Sequence, residues 1–265
     1  MVSKKRRRKR HRLRKALLHA IFPARCAVCG ELIEYDRTLC RNCEPKLEKH
    51  DMPTCHKCGA SLSDHDTDVC TAICCPVVTA FYYGGRVKRL IIDFKDHMRN
   101  DIFESFYSAV TERVAVEYAD VEFDMTASVP SYERKRHSTS VTMAKELAQA
   151  FMLDYDKNLL VKYRETEKQH MLGQSGRMEN LKDSITYNEK KKHLIEGKTI
   201  LLCDDVKSTG ATLNECAKAL YAAGAKQVCC VCIAVSDYTV RLSEEKALQE
   251  KAAGKQQFGL YYLNG

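Results

Sequence analysis

Tryptophan is missing from the chain, and proline and glycine are scarce, at 5 and 12 of its 265 residues. With an apolar fraction normal for a globular protein, that scarcity argues against wholesale disorder. No apolar stretch approaches the roughly 20 residues that cross a bilayer as a helix. No transmembrane segment is therefore expected, and the cytoplasm is the expected compartment. An export signal is missing too: Ala16-Leu17-Leu18-His19-Ala20-Ile21-Phe22 is short, is interrupted by His19, runs into Pro23 and has no small-residue cleavage pattern. Acid is absent from residues 1–15, which hold ten Lys or Arg. The net charge of +8 therefore belongs to this tail, since the remainder carries 33 basic against 35 acidic residues. Such a block is either a solvated tail or an accessory contact to nucleic-acid phosphates or to an anionic membrane surface, the latter placing the protein peripherally at a membrane.

What the sequence has in excess is cysteine. Nine of its fourteen cysteines fall between Cys26 and Cys75. In a reducing compartment such a cluster reads as metal ligands before disulfides. Cys26-x-x-Cys29 and Cys40-x-x-Cys43 are separated by ten residues, a zinc-ribbon-like spacing in which four thiolates can wrap one Zn²⁺ tetrahedrally. The second set is Cys55-x-x-Cys58-Gly59, then Cys70, with Cys74 or Cys75 as its fourth member. His50, His56 and His65 lie close enough in sequence to substitute, and pairing between the sets is an alternative, as is a metal-free thiol cluster. The zinc is expected to be structural, because four protein ligands leave no open position for chemistry. Cys203, Cys216, Cys229, Cys230 and Cys232 sit on apolar elements and read as small core residues.

Composition divides the chain into a basic tail (1–25), a Cys-rich module (26–76), an α/β region (77–236) and a C-terminal extension (237–265). In the third region strands are expected at Val78–Tyr83, Met125–Val129, Leu159–Tyr163, Thr199–Cys203 and Gln227–Val235. Helices are expected at Val87–Phe94, Ile102–Val116, Val141–Met152 and Ala211–Ala223, the last stopped by Gly224. This alternation implies an α/β fold with a mostly parallel sheet. Ligands bind such sheets beyond the carboxyl ends of the strands.

Leu201-Leu202-Cys203-Asp204-Asp205-Val206-Lys207-Ser208-Thr209-Gly210-Ala211-Thr212 is the most informative run. A buried strand delivers Asp204 and Asp205 to the sheet edge, and the chain then turns into a helix at about Ala211. Backbone N–H groups at a helix start carry partial positive charge and suit a phosphate. Gly210 allows close backbone approach, Ser208, Thr209 and Thr212 add hydroxyls, and the two carboxylates can accept hydrogen bonds from a ribose diol. A helix cap would explain one Asp or one Ser. It does not explain an acidic pair, a hydroxyl-rich turn, a Gly and a further Thr in this order.

This run resembles the signature of the type I phosphoribosyltransferases, two acidic residues before a Thr-Gly-x-Thr loop. The chain from about Phe22 to Val235 resembles the ComF family, which joins a Cys-rich module to a phosphoribosyltransferase-like domain. The resemblance rests also on Phe22-Pro23-x-Arg25-Cys26-x-x-Cys29-Gly30, Phe81-x-Tyr83, Arg89-Leu90-Ile91, Phe94-Lys95 and Val129-Pro130, and on Arg164, Thr166, Gln169, Leu172 and Arg177-x-x-Asn180. It implies a type I phosphoribosyltransferase sheet with Asp204 and Asp205 on the ribose diol and Lys207, Ser208, Thr209, Gly210, Ala211 and Thr212 around the 5′-phosphate of phosphoribosyl pyrophosphate. It places Arg134, Lys135 and Arg136 on the pyrophosphate side with Mg²⁺, where guanidinium groups grip phosphate oxygens; a solvated basic loop is the alternative. Lys95 and Arg177 are further candidates to face the ligand. Where the family has Gly-aromatic-Asn-Gln, this chain has His137-Ser138-Thr139-Ser140, which leaves no obvious residue to activate an acceptor. The resemblance implies a role in bringing single-stranded DNA into the cytosol during natural competence, with other competence proteins as partners. The alternatives are an active phosphoribosyltransferase (a pentosyltransferase) on an unknown base or amine, and a non-catalytic ligand sensor.

Overall fold

Buried strands alternating with amphipathic helices build a five-stranded parallel sheet in the computed structural model, which describes residues 23–34, 37–50, 54–62, 67–96, 99–130, 138–162 and 184–236. After a short helix α1 (Thr67–Ala72) come β1 (Val77–Tyr82), α2 (Gly85–Asp96), α3 (Phe103–Glu117), β2 (Met125–Ser128), α4 (Thr139–Phe151) and β3 (Asp154–Tyr155). Then follow β4 (Leu160–Lys162), β5 (Ile185–Tyr187), α5 (Lys192–Ile195), β6 (Thr199–Lys207), α6 (Ala211–Ala222) and β7 (Gln227–Val235). The strand order is β1-β7-β6-β2-β3, every neighbour parallel. Inside the sheet, β7 and the first half of β6, Thr199–Cys203, are almost wholly apolar, as burial on both faces demands.

Alternate residues of β6 and β7 feed two cores. Leu201, Cys203, Cys229, Val231 and Ile233 join the helices α2, α3 and α4 on one face. Ile200, Leu202, Val228, Cys230 and Cys232 join α6 and α5 on the other. The helical spacing is plain in α2, where Val87, Leu90, Ile91 and Phe94 are buried at i, i+3, i+4 and i+7. Gly224, at φ 94°, ends α6 as expected, with Ala225 N–H returning to the Leu220 carbonyl at 3.1 Å.

Three features differ from expectation. Strand β6 continues past Cys203 to Lys207, because β7 offers pairing partners as far as Val206↔Ala234 and Lys207↔Val235. Strand β4 does not join the main sheet; it pairs antiparallel with β5 in a separate two-stranded sheet beside α6. Strands β3 and β5, of two and three residues, are too short to show a period in sequence.

The cysteine units are divided between the two cores. Cys26, Leu39, Cys40, Cys43 and Leu47 pack with the α2–α3 side, and Cys58, Cys70, Ile73 and Cys75 with the α6 side. Glu48 caps α2: its carboxylate accepts from the N–H groups of Arg86 and Val87, both at 3.1 Å. A β-carbon at Gly85, whose φ is 41°, would lie 2.2 Å from that carboxylate, so a larger residue there would push the cap aside.

Candidate functional site

At the carboxyl end of β6 the two carboxyls differ. Asp205 N–H donates to Asp204 Oδ1 at 2.9 Å. Burial pushes the Asp204 carboxyl up to about 8, the negative charge of Asp205 adds to this, and Lys95 works against it. At neutral pH Asp204 is therefore largely protonated and can donate as well as accept. Asp205 Oδ2 instead meets the Lys95 ammonium at 2.9 Å and accepts a hydrogen bond from the Thr139 hydroxyl. Burial would lower Lys95, but the ion pair and hydrogen bond with Asp205 outweigh it and hold the ammonium above its usual range.

The acid pair is thus met by α2 through Lys95 and by the first turn of α4 through Thr139. Lys95 is a candidate from sequence, whereas sequence reasoning misses Thr139 as a site residue; its only signal is a hydroxyl at a helix start. Ser140 fixes that helix start by donating to the Val129 carbonyl at 3.2 Å.

Beyond Lys207 the chain makes the turn Ser208-Thr209-Gly210 and enters α6. Gly210 adopts φ 80° and ψ 1°, the Thr209 hydroxyl accepts from Ala211 N–H at 3.3 Å, and Asn214 N–H closes on the Gly210 carbonyl at 2.9 Å. Lys207 and Thr209 are nearly buried, at 3% and 8% exposure. The lysine therefore lies within the protein body and not as a free surface cation. Gly210 has a second reason to be glycine besides approach to an anion: a β-carbon there would stand 2.2 Å from Ile73 Cδ1. Ala211 is buried, and Ser208 and Thr212 are partly exposed. Arg134, Lys135, Arg136 and His137 lie outside the described residues, as do Arg164, Thr166, Gln169, Leu172, Arg177 and Asn180, the basic tail and the C-terminal extension.

The first cysteine set comes together as expected: the sulfurs of Cys26, Cys29, Cys40 and Cys43 all lie within 4.8 Å of one another. Zinc–sulfur bonds of about 2.3 Å in a tetrahedron separate sulfurs by about 3.8 Å, and Cys29 Sγ and Cys40 Sγ are 3.7 Å apart. Burial alone would raise the Cys26 thiol, but backbone N–H groups of Cys29, Cys40 and Val28 bring it down to about 6. That favours the thiolate a metal requires.

In the second set Cys55, Cys58 and Cys70 converge within 4.8 Å, with Cys55 and Cys70 sulfurs 3.7 Å apart. Cys55 is likewise held at about 6, burial being overcome by the N–H groups of Cys58 and Lys57. Cys74 does not join them. Its sulfur faces the Asn214 carbonyl at 3.9 Å, while Cys75 Sγ lies 3.2 Å from Cys230 Sγ. Among the described residues the second site thus offers three thiols. His50 is buried against Thr79, His56 pairs with Glu117 at 3.6 Å, and His65 lies outside the described residues. Both thiol groups fit structural zinc. Cys203, Cys216, Cys229, Cys230 and Cys232 are all fully buried, as expected of core residues.

Residues 17–74 match the double zinc ribbon domain, and residues 137–256 match the phosphoribosyl transferase domain. The chain thus joins a double zinc ribbon to a phosphoribosyl transferase domain, the arrangement expected from the resemblance to the ComF family. The DNA utilization protein YhgH of Escherichia coli K12 is 25% identical over 221 residues, covering 78% of this chain and 89% of that protein. Its counterpart in Shigella flexneri matches to the same extent. Among solved structures, a glutamine phosphoribosylpyrophosphate amidotransferase from B. subtilis is 21% identical over 48% of this chain. The match spans a quarter of the amidotransferase (25%) at a TM-score of 0.33. TT1426 from Thermus thermophilus is 14% identical, covering 53% of this chain and 77% of that one, also at 0.33.

Proposed function

We propose that this ComF-like protein binds phosphoribosyl pyrophosphate and serves in the handling of DNA, as in uptake during natural competence. The observation that carries the reading is the juxtaposition on β6 and α6 of an acid pair and a hydroxyl-rich turn leading into a helix start. In this reading Asp204 and Asp205 hold the ribose diol, the diol sharing or replacing the hydrogen bonds that Lys95 and Thr139 make to Asp205. Lys207, Ser208, Thr209, Gly210, Ala211 and Thr212 surround the 5′-phosphate, through amides at the helix start and the hydroxyls. Arg134 and Arg136 take the pyrophosphate, whose charge bound Mg²⁺ neutralises. Zinc in the cysteine units is structural and does no chemistry. The DNA role is supported by the likeness to DNA utilization protein YhgH and by the basic residues 1–15, which suit phosphates or a membrane surface.

The test is calorimetric titration of phosphoribosyl pyrophosphate with Mg²⁺ into zinc-loaded protein, beside Asp204→Asn/Asp205→Asn. Binding lost in the double variant supports the site; a wild type that does not bind defeats it. The second reading, transfer of phosphoribose to a base or amine, is favoured by Asp204, whose carboxyl titrates near neutrality as a proton-transfer group should. It predicts acceptor-dependent release of pyrophosphate, abolished by Asp204→Asn.

A further inference from the structure

We infer that Ile73, carried by the second cysteine unit, is a positioning residue for the phosphate loop. It would set ligand affinity from three residues beyond the thiol of Cys70. The inference rests on the phosphoribosyl reading of that loop.

Residues 73–75 each touch a different part of the transferase domain. Ile73, at 1% exposure, fills the side of Gly210 on which a β-carbon would stand, with Cδ1 2.2 Å and Cγ1 3.6 Å from that position. Cys74 N–H donates to the Asn214 side-chain oxygen at 3.0 Å, and Asn214 N–H in turn donates to the Gly210 carbonyl at 2.9 Å. Cys75 places its sulfur 3.2 Å from Cys230 on β7. Loop, helix start and strand are thus braced from a single short segment.

The brace matters because of the conformation it holds. A glycine at positive φ has several accessible basins, and nothing in its own covalent structure selects the one seen. An isoleucine does: its Cδ1 stands where a β-carbon at Gly210 would have to go, and Ile73 is itself buried in the α6-side core. A phosphate held by successive backbone N–H groups requires those groups to be aimed before it arrives, and small displacements are costly. Ile73 supplies the aim without facing the ligand.

The test is titration of phosphoribosyl pyrophosphate with Mg²⁺ into the zinc-loaded full chain. Ile73→Leu, which keeps a δ-methyl, is expected to bind as the wild type does. Ile73→Val, which removes Cδ1 alone, weakens binding about threefold, and Ile73→Ala about tenfold. Val110→Ala, in the opposite core on α3, is the control: it lowers the melting temperature and leaves affinity unchanged. A flat affinity series at residue 73, or a loss in Val110→Ala equal to that in Ile73→Ala, overturns the inference. If Ile73→Ala does not fold, the Leu and Val variants carry the same comparison. A wild type that fails to bind defeats the phosphoribosyl reading instead, so the two failures are distinct.

Discussion

Cys26-x-x-Cys29-Gly30 and Cys55-x-x-Cys58-Gly59 build the same turn. Gly30 and Gly59 take φ 77° and 68°, and their N–H groups return to the Cys26 and Cys55 carbonyls at 2.9 and 2.8 Å. Their surroundings differ. A β-carbon at Gly30 would meet nothing within 4 Å, whereas one at Gly59 would lie 2.5 Å from the Val77 carbonyl oxygen. The first unit gathers four thiols and holds α2 and the approach to α3, through Glu48 and through the Thr38 hydroxyl on the Asp101 carbonyl at 3.0 Å. The second gathers three among the described residues and lies against the sheet and the phosphate loop. One local motif therefore does two structural jobs, decided by what it is packed against.

The largest effects should come from the metal ligands. Cys40→Ser and Cys70→Ser are each expected to remove one zinc per chain, by elemental analysis, and to cost on the order of several kcal/mol. Cys74→Ser should leave the zinc content intact, and a Cys74→Ser protein short of one zinc would break the distinction between Cys70 and Cys74.

Next comes the acid pair, on which the two units converge through α2 and the phosphate loop. A carboxyl raised from its ordinary value near 4 to about 8 keeps its proton in the folded state after the unfolded chain has released it. Stability should therefore fall as pH rises across that window and level off above it. Asp204→Asn is expected to flatten the fall. Urea denaturation at pH 5 and pH 8 measures this, and an unchanged slope in the variant would show that Asp204 is not its source.

The matched glycines give a smaller contrast. Gly30→Ala bears only the cost of its φ, about 1 kcal/mol, while Gly59→Ala adds a backbone collision for about 2–4 kcal/mol in all. Equal melting temperatures would remove the difference in docking. Glu48→Ala should have the smallest effect, about 0.5 kcal/mol, the low end for a lost helix cap, read as a modest fall in melting temperature.

Much of this is legible in the sequence, and the exceptions share a physical cause. The apolar runs of β6 and β7, the glycine after α6, the four-thiol spacing and the Asp204-Asp205 turn are local patterns, and each lies where its pattern places it. Thr139 cannot be found that way: it meets Asp205 from 66 residues away, and a hydroxyl at a helix start is commonplace. Lys95 is named only through the family resemblance, because an amphipathic helix ending in lysine points to no partner. Spacing nominates Cys74 as a fourth ligand, yet spacing does not register that Asn214 offers its amide N–H a partner. Gly210 reads as making room for an anion, while its fit against Ile73 depends on a contact across 137 positions.

The docking of the two units also sets an order of events on the ribosome. The first unit finds its partners soon: Glu48 reaches residues 38 and 39 positions ahead, and Thr38 reaches 63. The second unit meets Val77 early, through Lys57 and Gly59, but its contacts with Asn214 and Cys230 lie 140 and 155 positions downstream. At ordinary rates of synthesis that is on the order of ten seconds. Throughout that interval the nascent chain carries one cysteine unit whose side-chain anchors exist and one whose anchors on α6 and β7 have yet to be translated. The later unit is then the one most exposed to thiol exchange and to whatever competes for its metal.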